Sequence, residues 1–62
     1  MTVYDFFMYK QVKIRVGAFT VTGKLIRYQF GQKKPHRPFV LIVELAQGRA
    51  ILREWESIST LA

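Results

Sequence analysis

Twelve consecutive residues, Phe19 to Phe30, read as one extended segment, and Gly23 is the only one of them without a side chain. The run is rich in β-branched and aromatic residues and longer than an ordinary strand. An interior glycine in a strand marks a sharp bend or a bulge where a sheet curls onto itself. The flanking residues keep the same period of two. Val12, Ile14 and Val16 alternate with Lys13 and Arg15, the pattern of a half-buried antiparallel strand. The sequence therefore predicts strands over 11–17, 19–30, 39–45, 49–53 and 57–60, with a turn at Gly17-Ala18 and another at Gln47-Gly48. Residues 31–38 carry two prolines, a glycine and four cationic-capable side chains, which predicts a loop.

Residues 2–10 read as a short helix, with Thr2 and Asp5 in the spacing of a capping box. Val3, Tyr4, Phe6, Phe7, Met8 and Tyr9 make it apolar nearly all round. One face packs on the domain. The other meets a neighbour or stays as an exposed patch; alternatively the whole helix simply lies flat over the end of the barrel. One short helix and five strands in a single 1–62 domain describe a small, mainly β, strongly bent antiparallel barrel. This pattern excludes helix-turn-helix and βαβ folds.

Size sharpens the problem. At 7.3 kDa a folded monomer should expose about 4,200 Å² and bury only about 60% of its chain surface. The chain has no cysteine, so neither disulfides nor a thiolate-held metal reinforce a small core. The longest apolar runs are far too short to span a membrane, and Asp5 precedes the first lysine, unlike a signal peptide. These features predict a cytoplasmic protein without membrane association.

The formal net charge of +6 is unevenly placed. Residues 10–37 hold eight lysines and arginines and no acid, while the segments on either side each carry a net −1. Such a field is suited to a polyanion, of which nucleic acid is the commonest; a solvated lysine-rich surface is the plainer alternative. Catalytic constellations are lacking: there is one Asp, one His, no Cys and no phosphate-binding glycine loop. The chain is expected not to be an enzyme and to need no cofactor and no metal. His36 reads as a surface residue.

Val21-Thr22-Gly23-Lys24-Leu25, with Tyr28 and Gln29, resembles the first motif of the Sm family. Phe39-Val40-Leu41-Ile42-Val43 is similar to the apolar strand that follows it. Ile51-Leu52-Arg53 with Ile58 resembles the second motif, with one extra residue, and Ser57-Ile58-Ser59-Thr60 is similar to the end of the bacterial Hfq branch. The resemblance covers residues 3–60. It implies an N-terminal helix on a five-stranded SH3-like, Sm-type barrel. Subunits of that family pair strand four against a neighbour's strand five, as hexamers or heptamers, and bind single-stranded RNA. The family's Asp is Gln29 here, its Gly after Arg is Glu54, and the Hfq Lys-His pair is replaced by Trp55 and Glu56. A basic insertion stands in the loop where the family reads RNA. The expectation is therefore binding with weak sequence preference.

The candidate site for single-stranded RNA, or DNA, comprises Gln29, Phe30, Lys33, Lys34, His36, Arg37, Phe39 and Arg53, with cations for phosphates and aromatic rings for bases. Phe30 and Phe39 could instead be core residues beside a plain linker. Arg53 stacks on a base or pairs with Glu54 or Glu56 of an adjoining strand. Phe6, Phe7, Ile51, Trp55 and Ile58 are the expected subunit interface, with Trp55 a core anchor or stacking platform as alternatives. Two rival readings are a monomeric SH3-like barrel on duplex DNA and a protein-interaction module whose charge is incidental.

Overall fold

The alternation that begins at Gln11 becomes five antiparallel strands of one sheet. A computed structural model describes residues 3–32 and 36–61. The strands are β1 (Gln11–Val16), β2 (Phe19–Phe30), β3 (Pro38–Leu45), β4 (Gly48–Leu52) and β5 (Ser57–Thr60). They lie in the order β4-β3-β2-β1-β5. The expected second and fifth strands have these same bounds, the first and third differ by one residue at one end, and the fourth is shifted by one residue at both ends. The sheet is not closed: β4 and β5 remain its two open edges. The surface of 4720 Å² exceeds the roughly 4,200 Å² typical of a monomer of this mass.

Val12, Ile14, Leu25, Leu41 and Val43 are fully buried, and Trp55 joins them. Ile14 pairs with Val21 on one side and Ile58 on the other. Leu41 and Val43 pair with Leu52 and Ala50. The inner face is thus a continuous apolar layer across the sheet, as period-two patterning requires.

Gly23 is not where the ladder breaks. It pairs with Val12 in register, and the irregularity falls downstream. Leu25 and Arg27 pair with consecutive β3 residues, Val43 and Ile42, leaving Ile26 as an unopposed extra residue. The bulge keeps Leu25 and Tyr28 on the inner face, opposite Val43 and Leu41. Gly23 serves a close approach instead. A Cβ there would stand 2.6 Å from the Glu44 carbonyl oxygen, 2.6 Å from Val43 Cγ1 and 3.0 Å from Leu45 Cδ2. A strand crowded this tightly by its neighbour accepts only glycine.

The N-terminal helix is shorter than expected: Val3–Phe7 form a single 3₁₀ segment, and Thr2, the expected cap, lies outside the described residues. The backbone beyond it is drawn into the sheet. Tyr9 N–H donates to the Leu25 carbonyl at 2.7 Å, and Leu25 N–H donates to the Lys10 carbonyl at 3.2 Å. Tyr9 turns with φ of 63°, which stops helical propagation. Asp5 accepts a hydrogen bond from the Tyr28 hydroxyl and so pins the segment to β2. Tyr4 meets Phe7, Tyr28, Phe30 and Trp55, with ring centroids 5.9–6.3 Å apart. Aromatic edges and faces at this spacing lid the open end of the core.

Candidate nucleic-acid interface

Between β2 and β3 the chain leaves the sheet and returns at Pro38, whose missing N–H suits the first residue of a strand. A second irregularity follows at once. Gln29 pairs with Val40 but Phe30 pairs with Pro38, so Phe39 has no partner across the ladder. Strict alternation from Leu41 would turn Phe39 inward. The bulge turns it out, leaving the residue 56% exposed and backed by Gly31, where a Cβ would sit 3.2 Å from Phe39 Cβ. Bulges commonly re-aim a side chain in this way.

Phe39 walls an open cleft of about 710 Å³ that Pro38, Arg37, Arg53, Glu54 and Trp55 also line, with Gly31 and Gln32 at its side. Its floor is rigid. Trp55 Nε1–H donates to the Pro38 carbonyl at 3.2 Å. The Arg37 guanidinium lies 3.9 Å over the Trp55 ring and donates to the carbonyls of Trp55 and Glu56 at 2.9 and 3.3 Å. These charge-assisted bonds and the cation–π contact hold the segment after β4 against the start of β3. Arg37 therefore braces the cleft. Arg53 and Glu54 are exposed at its rim, and among the described residues the ion pair formed is that of Arg15 with Glu56, at 3.6 Å.

The expected site residues divide between several places. Arg37, Phe39 and Arg53 converge on the cleft. Phe30 packs edge-on against Tyr4 and Tyr28, at 6.3 and 5.7 Å, as a partly exposed member of the aromatic lid. Gln29 is exposed on β2 and His36 is exposed beside the start of β3. Lys33 and Lys34 lie outside the described residues. Of the expected interface residues, Ile51 is exposed on edge strand β4 and Ile58 half-buried on edge strand β5. Phe6 is exposed, beneath the Lys10 ammonium at 3.4 Å, and Phe7 is half-buried. Trp55 is 7% exposed and belongs to the chain's own core.

Glu54 and Gln32 line the cleft without having been singled out from the sequence. Glu54 was visible there as the acid replacing the Sm-pattern glycine and as a possible ion-pair partner of Arg53. A second basic surface also emerges. Lys13 stands between Ser59 and Thr22, and Arg15 between Ser57 and Thr20, on the outer face. Lys24 pairs with Glu44 and Glu44 with Arg49 along one row of that face. The bulge at Ile26 brings Arg27 to the same side. Small hydroxyl side chains flank Lys13 and leave its charge prominent, whereas Arg15 pairs with Glu56.

Among the described residues no helix is long and apolar enough to cross a membrane, and no group of three or more His, Asp or Glu side chains is placed to hold a metal. Comparison of the chain with family models, curated proteins and solved structures finds no match.

Proposed function

We propose that this chain is an Sm-like RNA-binding protein, a subunit that assembles through its two open edges and holds single-stranded RNA at the Phe39–Arg53 cleft. The observation that carries the reading is the juxtaposition of an outward-turned aromatic ring and an exposed arginine over a braced floor. A flat π-surface beside a cation is the minimum equipment for stacking a base and neutralising its phosphate. Strand order supports the assembly. The edges are β4 and β5, the two strands that pair between neighbours in Sm rings. Pairing them would satisfy unpaired backbone groups and bury area that 62 residues cannot bury alone. Repetition around a ring would multiply the contacts of each cleft.

The outer-face cations favour a second reading, in which the sheet lies across the phosphates of a duplex as a monomer. One set of measurements separates the two. Native mass and the absorbance ratio at 260 and 280 nm report assembly and bound nucleic acid. Phe39→Ala with Arg53→Gln should weaken single-stranded RNA binding by about tenfold or more. Lys13→Gln with Lys24→Gln and Arg27→Gln should lower affinity only modestly. A clean monomer whose binding survives the cleft variant and is abolished by the sheet variant would overturn the RNA reading in favour of the duplex one.

A further inference from the structure

We propose that the cleft selects guanine, through the Glu54 carboxylate, from among the bases of single-stranded RNA. This rests on the RNA-binding reading above and adds base identity to it. Phe39 offers a ring for stacking, but every base has a π-face, so stacking alone does not discriminate. Discrimination needs an in-plane polar group at the same cleft, and Glu54 lines it with Phe39, Arg53 and Gln32. Among the described residues Glu54 forms no ion pair, so its oxygens are not committed to Arg53 or Arg37.

An ionised carboxylate only accepts hydrogen bonds, through two oxygens side by side. The unpaired Watson–Crick edge of guanine presents two adjacent donors, N1–H and the N2 amino group, and so matches it with two parallel bonds. Uracil presents one N–H between two carbonyl oxygens, which repel a carboxylate. Adenine and cytosine each present one amino donor next to a ring nitrogen lone pair. Guanine alone gives a bidentate, charge-assisted pair. Phosphates on either side would fall to Arg53, which lines the same cleft and keeps the acid from repelling the strand as a whole.

The test uses the full-length protein and fluorescently labelled short RNAs of uridine in which isolated positions are G, A, C or left as U. Isolated guanines avoid quadruplexes, and anisotropy is read at about 50 mM salt, where weak complexes persist. Guanine-bearing RNA should bind about tenfold more tightly than the other three, as a bidentate contact does. Glu54→Gln should shrink that ratio to within about twofold while overall affinity holds or rises, because one negative charge is lost. Glu54→Ala, also at an exposed position, should behave alike, and an unchanged melting curve shows that each variant folds. Equal binding of all four RNAs by the parent, or a guanine preference that survives both variants, overturns the assignment and leaves RNA binding standing. Absence of binding to any of the RNAs overturns both.

Discussion

Gly23→Ala adds one methyl group to the most crowded position in the sheet. The new carbon would stand 2.6 Å from a β3 carbonyl oxygen and from Val43 Cγ1. Relief needs a separation increase of about 0.8 Å. Leu45 Cδ2 can swing aside, but the Glu44 oxygen is backbone and moves only if β3 moves. Overpacking of this kind costs about 1–3 kcal/mol, and a rigid partner puts it at the upper end, about 3 kcal/mol. A 62-residue chain holds only some 3–9 kcal/mol in total, so the variant forfeits at least a third of its stability. The melting temperature, followed by circular dichroism at fixed protein concentration, should fall by about 12–24 °C. Gly17→Ala is the control. Gly17 has φ of 61° with open space where a Cβ would go, so its cost is dihedral strain alone, about 1 kcal/mol. A Gly23→Ala melting point within about 4 °C of the parent, or a larger loss for Gly17→Ala, would refute the close-approach argument.

Arg37→Ala should lower stability by about 1–3 kcal/mol, because it strips a cation and two carbonyl contacts from the cleft floor; an unchanged urea midpoint would make Arg37 a mere surface charge. Trp55→Phe should cost about 1–2 kcal/mol by leaving the Pro38 carbonyl without its donor, read from the same titration. Tyr9→Gly should raise stability by about 0.5 kcal/mol, since release of left-handed strain outweighs the added chain entropy; a lower melting point would contradict this.

Period two made β1 and β2 legible, because one wet face and one dry face leave a direct trace in residue type, and a nearly unbroken apolar run made the third strand legible. The prolines and charges of 31–38 likewise announced the break in the sheet. Other features depend on partners distant in sequence. The N-terminal segment has helical composition, yet Leu25 captures its backbone through Tyr9 and Lys10. Neither bulge has a composition of its own: Ile26 and Phe39 are extra only by count against the opposite strand. Trp55 advertised adhesiveness, but whether it would face a neighbour or its own core turned on Pro38 and Arg37. Arg37 read as a phosphate ligand because sequence displays charge and hides the carbonyls that engage it. The acid at 54 was conspicuous, while its place in the same cleft as Phe39 came from the fold.

Ile26 allows two kinds of information in β2 to be edited separately. Deleting an interior residue of the strand away from this bulge would exchange its two faces from that point on, turning charge inward and aromatic rings outward. Deleting Ile26 would do neither. Leu25 and Tyr28 would still point inward, Arg27 and Gln29 outward, in plain alternation. What would disappear is the extra length that lets β2 bend and twist against β3. A shortened chain would thus carry the same two surfaces on a flatter sheet, and curvature here becomes a property of residue count, open to adjustment without repainting either face.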